Sequence, residues 1–177
     1  MKYFLFISLL SFFGPAFAAG DAGDISVKVA NGDMLLSYKG RSVSLGVDVG
    51  AEKESTTNIL FRAIKGSRFY VVIDDERPSN PDSPEGMCGA GYEASLIWIS
   101  AAEDLSALNK SVILYDSCYK SISLDDSQIG SSTLSTTFID YDTNEKTVLE
   151  YDNKFPERGF QLTVKKLEPK RKKLGKS

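Results

Sequence analysis

Ser42-Val43-Ser44-Leu45-Gly46-Val47-Asp48-Val49 alternates polar and apolar residues over eight positions. That period of two places one set of side chains on each face of an extended chain, which is the mark of a half-buried β-strand. The same rhythm runs outward in both directions. Residues 59–64 and 69–73 form two apolar runs around Lys65-Gly66-Ser67, read as a hairpin turn. Residues 25–29 and 34–38 flank Asn31-Gly32-Asp33, a second turn signal. Residues 133–141 and 146–151, rich in β-branched and aromatic side chains, enclose Asp142-Thr143-Asn144-Glu145, and Phe160, Leu162 and Val164 alternate in a last strand. Two further strands are expected over 92–99 and 112–124. The pattern predicts an all-β, mainly antiparallel fold of 8–10 strands, arranged as a sandwich or barrel. One interruption is expected. Ser100-Ala101-Ala102-Glu103 fits a capping box, so a short connecting helix is predicted near 101–109.

The ends of the chain differ from its body. Lys2 precedes a nearly unbroken apolar run over 3–13, Pro15 closes it, and Ala16 and Ala18 supply small residues where a signal peptidase reads them. Residues 1–18 are therefore expected to be a signal peptide; an apolar run of about 11 residues falls short of the roughly 20 needed to cross a bilayer. No later stretch is apolar enough to span a membrane. Residues 19–167 are expected to form a single domain, and 168–177 a basic, disordered tail. The stretch 19–164 carries 13 basic against 23 acidic residues, while 165–177 carries seven basic and one acidic. An acidic body argues against nucleic acid as a partner.

The two cysteines, Cys88 and Cys118, stand 30 residues apart. In an oxidising compartment an even count favours a disulfide between them, and the spacing is unlike a C-x-x-C redox site. The expected strands on either side of them would place both near the open end of a strand pair.

The chain contains no histidine. That removes Ser-His-Asp and Cys-His catalysis and nearly all zinc sites, leaving carboxylate pairs as the main catalytic option. Ser117-Cys118-Tyr119-Lys120 matches the S-x-x-K nucleophile motif, but in an expected strand the odd spacing sends Ser117 and Lys120 to opposite faces. Asp140, Asp142 and Asn144 imitate the first three ligands of a calcium loop. Glu145 then stands where Gly is needed and Tyr151 where the closing Glu belongs, so a hairpin turn is expected and no metal site. Gly89 and Gly91 signal a bulge or a close backbone approach. No motif for a cofactor is present.

Residues 74–86, DDERPSNPDSPEG, hold three prolines and five acids and read as a long loop. Asp74, Asp75, Glu76, Asp82 and Glu85 are thus candidates for an acidic finger entering a basic cleft on another protein. The combined expectation is a non-enzymatic binding protein of the bacterial envelope, exported to the periplasm or beyond. Its expected type is an inhibitor or immunity protein against a secreted hydrolase or toxin. Two alternatives stand beside it: a carboxylate-dependent hydrolase of cell-wall glycans, and a structural or assembly subunit that adds a strand to a neighbour.

Overall fold

A computed structural model describes residues 24–48, 56–79 and 91–168. The expected signal peptide, the tail beyond residue 168, Asp82, Glu85 and Cys88 lie outside the described residues. Among those described, the chain is almost entirely antiparallel β-structure, with eleven strands in two sheets.

The first sheet holds β1 (Ser26–Ala30), β2 (Asp33–Tyr38) and β3 (Arg41–Asp48), in that order. The turn between β1 and β2 has Asn31 at φ 54° and Gly32 at φ 77°, the left-handed pair that a two-residue hairpin requires. The second sheet is a meander in which each strand pairs with the next. It runs through β4 (Thr56–Lys65), β5 (Arg68–Pro78), β6 (Tyr92–Ala102), β7 (Asn109–Ser117), β8 (Ile122–Ile129), β9 (Thr133–Asp140), β10 (Glu145–Asp152) and β11 (Gln161–Lys166). It does not close into a barrel. The sandwich alternative is the one consistent with this arrangement.

Strands β5 and β6 explain why. They are apolar on both faces, and so need cover on both. Phe69, Val71, Ile73, Ile97, Ile99 and Ala101 pack against Met34, Leu36, Tyr38 and Leu45 of the first sheet. On the opposite face Val72, Ala94 and Leu96 pack with Phe61 and Tyr115, and with Leu134, Phe138, Leu149 and Tyr151 from β9 and β10. The second sheet can cover itself because β7 and β8 pair only at Ser117↔Ile122. At that seam β8–β11 turns back over β4–β7. Polar ties fix the first sheet: Lys110 on β7 donates to the carbonyls of Leu45 and, at 3.0 Å, Gly46, and Arg62 donates to that of Ile25 at 3.1 Å.

Three expectations need correction. No helix forms over 101–109. Ala101 and Ala102 stay in β6, paired with Phe69 and Arg68, and the Ser100 hydroxyl accepts from Arg68 Nε at 2.9 Å instead of capping a helix. The connection is a turn in which Asp104 accepts from the Ser106 amide at 2.9 Å, with Leu105 and Ala107 at positive φ. The expected strand 112–124 is two strands, β7 and β8, separated by a turn over 118–121. Finally, residues 74–78 belong to β5, paired to β4 as far as Thr56↔Glu76 and to β6 as far as Pro78↔Tyr92. Proline ends the strand because it brings no amide to the ladder.

Candidate functional site

The structure divides the expected acidic finger. Asp74, Asp75 and Glu76 do not project from a loop. Asp75 is wholly buried; its Oδ1 accepts from the Thr57 hydroxyl at 2.9 Å, and its Oδ2 has no partner among the described residues. Asp74, on the other face of the strand, accepts from the Tyr115 phenol at 2.8 Å. Only Glu76 of the three is exposed. Desolvation raises both aspartates above the ordinary carboxylate value, against the opposing pull of Tyr115 on Asp74 and of Thr57 and Arg77 on Asp75. Burial, with Asp74 alongside, likewise pushes the Tyr115 phenol up.

The sign of the pH effect follows. A carboxyl whose folded pKa is raised binds its proton more tightly in the folded chain, so its contribution is full below the unfolded value and lost as pH climbs through the folded one. Stability should therefore fall from the ordinary carboxylate value of 3.8 upward. Asp75→Asn keeps an acceptor for Thr57 and cannot ionise. Thermal melts between about pH 4 and 8 should show the Asn variant at least as stable as the native chain near neutrality, with a shallower slope. An unchanged slope would remove Asp75 from the account.

A more open site lies at one end of the β8–β11 layer. The registers Gln128↔Ser135, Ser135↔Glu150 and Glu150↔Gln161 set four polar residues in one row across four strands. At the usual strand spacing that row is about 14 Å long. Leu134, Leu149 and Tyr151 alternate with it and face the core. All four residues of the row line a cavity of about 590 Å³, together with Asp152, Phe155 and Arg158.

The cavity's far wall is the segment 153–160, which is firmly held. Trp98 Nε1 donates to the Pro156 carbonyl at 3.0 Å, Lys65 pairs with Glu157 at 2.5 Å, and Asn153 donates to the Arg62 carbonyl at 3.2 Å. The Arg158 guanidinium stacks over the Phe155 ring at 4.4 Å. Within the site, Asp152 accepts from the Lys154 amide at 2.9 Å, and the Gln128 and Gln161 amides donate to Asp126 and to the Arg158 carbonyl. Among the described residues the side chains of Glu150 and Ser135 make no hydrogen bond, and Glu150 is exposed. The site offers a free carboxylate, a hydroxyl, two amide oxygens and a pre-oriented guanidinium on a rigid sheet.

None of these residues was singled out by the sequence. The alternation over 145–151 does put Glu150 opposite Leu149 and Tyr151, but only the register assembles the row. The remaining sequence candidates have structural roles. Ser117 Oγ accepts from the Lys120 amide at 3.0 Å in the turn after β7, so S-x-x-K is a local turn bond. Asp140 Oδ1 accepts from the amides of Asp142 and Thr143 at 2.9 and 3.0 Å, closing the β9–β10 hairpin. Gly91 answers the close-approach signal: a Cβ there would lie 2.9 Å from that of Cys118. No cysteine among the described residues is free. Among them, too, no three of His, Cys, Asp and Glu converge as a metal site, and no helix is long and apolar enough to cross a membrane.

No known protein family, curated protein or solved structure matches this chain.

Proposed function

We propose that the chain is an exported, non-enzymatic binding protein of the bacterial envelope, of inhibitor or immunity type, that grips a basic protein partner through the Glu150–Asp152 wall of the cavity. The observation that carries this reading is Glu150: an exposed carboxylate with no partner among the described residues, beside Asp152 on the same strand face. Two carboxylates there suit a lysine or arginine of the partner, and the Arg158 fork suits a carbonyl or carboxylate next to it. With Asp74 and Asp75 drawn into the sheet, this wall takes over the role expected of the acidic loop, and the acidic body still favours fast, steered association.

A glycan hydrolase is the second reading, favoured by the presence of two acids in one cavity. Two features weigh against it. Glu150 and Asp152 leave the same strand two residues apart, about 7 Å, so they stand side by side instead of flanking a bond from opposite faces. Glu150 is also open to water, whereas a catalytic acid of this kind sits in a desolvated pocket.

Part of the same proposal is a disulfide between Cys118 and Cys88, supported by the absence of a free cysteine among the described residues and by the chain having only two.

The test is capture of partners by tagged residues 19–177 from the producing cell's envelope, at low and moderate salt. A single stoichiometric protein, weakened by salt and at least about tenfold by Glu150→Gln with Asp152→Asn (about 1.4 kcal/mol), is the expected result. A partner held equally well by the double variant would sink the cavity wall as the contact.

A further inference from the structure

Strand β11 is an edge with unusual freedom. Among the described residues it pairs with β10 alone, and all six of its residues are exposed. Leu162 and Val164 are 49% and 53% exposed although they lie opposite Leu149 and Thr147, on the face that carries the core. Natural edges are usually blunted by bulges, proline or inward charge. β11 has an uninterrupted register and no proline, and its lysines sit at one end. One of them, Lys166, is already paired with Glu145 of β10 at 3.8 Å.

The direction of its free backbone groups can be fixed. The Leu167 amide donates to the Asn144 carbonyl at 2.9 Å, so residue 167 points toward β10. Alternate residues of a strand share that direction. Residues 163 and 165 therefore also serve β10, and the amides and carbonyls of Leu162, Val164 and Lys166 face outward, unpaired among the described residues.

We infer that β11 pairs with β11 of a second copy, antiparallel about a twofold axis at Thr163. This register is self-complementary. Leu162 meets the other copy's Val164 and Val164 meets its Leu162, as two hydrogen-bonded pairs giving about four backbone bonds. The apolar strip on that face becomes continuous from one copy to the other. Gln161 meets Lys165, so no like charges oppose one another. The same-face register one step on would set Leu162 against Lys166, and no such match arises. The C-terminal ends of the two strands point in opposite directions. The closed twofold contact joins both β8–β11 layers into one eight-stranded sheet and ends there.

The full mature chain, residues 19–177, tests this by sedimentation over roughly 5–500 µM, since a one-strand contact is small and its dimer should be weak. A monomer–dimer equilibrium is expected; a monomer throughout, or larger open polymers, would overturn the inference. Two variants sharpen the result. Val164→Pro removes an outward amide while leaving the β10 ladder its own donors; it should be monomeric with unchanged far-UV circular dichroism, and a folded dimer would overturn the assignment. Thr163→Cys places two thiols at the axis, where facing Cα atoms of a non-hydrogen-bonded pair stand about 4.5 Å apart, within disulfide reach. It should cross-link into a dimer on oxidation, while Gln161→Cys, about 13 Å from its symmetry mate, should not. This pair of variants decides the question even if the proline variant fails to fold. Equal cross-linking at 161 and 163, or none at 163, refutes the register.

Discussion

Phe69→Ala should destabilise the fold by about 3–5 kcal/mol, the range for truncating a fully buried aromatic side chain. Phe69 is completely buried, its ring lies 5.1 Å from that of Tyr38 at 43°, and it belongs to the cluster that binds the two sheets together. Its strand neighbours are Ile64 on β4 and Ala101 on β6. Neither can fill the space: Ala101 is short, and β5 is held in register by β4 from Arg68 to Glu76 and by β6 from Arg68 to Pro78. The cavity should therefore persist, and it would open beneath Tyr38, which is itself wholly buried. A domain of this size has about 5–15 kcal/mol in total, so the variant should unfold at a much lower urea midpoint with the slope unchanged. A loss below about 1 kcal/mol would mean that the first sheet rests on its polar ties through Lys110 and Arg62 more than on this core.

Phe69 also marks what the sequence discloses well. The runs 59–64 and 69–73 with Lys65-Gly66-Ser67 between them became the β4–β5 hairpin, because periodicity and turn chemistry are both local. The β9–β10 hairpin was equally legible, down to Asp140 in its turn, where it accepts from the amides of Asp142 and Thr143. Where local composition and long-range pairing disagreed, pairing won. Asp74-Asp75-Glu76-Arg77-Pro78 has the composition of a loop, yet three cross-strand partners on β4 and five on β6 hold it extended. The capping box at Ser100 failed for the same reason, since Arg68 and the buried Ala101 draw the segment into β6. The cavity was not readable at all. Gln128, Ser135, Glu150 and Gln161 carry no motif, and their proximity exists only through three successive registers.

The second large effect concerns the seam. β7 and β8 meet at the single pair Ser117↔Ile122, so the turn over 118–121 alone connects the two layers of the second sheet there. Cys118 lies in that turn, and Gly91, at the start of β6, approaches it so closely that a Cβ would stand 3.3 Å from its sulfur. The Ser79 amide donates to the Gly91 carbonyl at 2.9 Å, fixing that approach from the β5 side. A bridge from Cys118 to Cys88 would thus tie the seam to the chain entering β6. It would close a loop of 30 residues, which in the chain-entropy picture would be worth about 3–4 kcal/mol. The double variant Cys88→Ser, Cys118→Ser should lose that amount in urea unfolding, and the native chain should lose the same when reduced. Alkylation of the unreduced, denatured chain separates the bridge from mere packing. Two blocked thiols that label only after reduction are the expected result. If both label without reductant there is no bridge, and the loss in the double variant would then measure only the packing of Cys118 against Gly91.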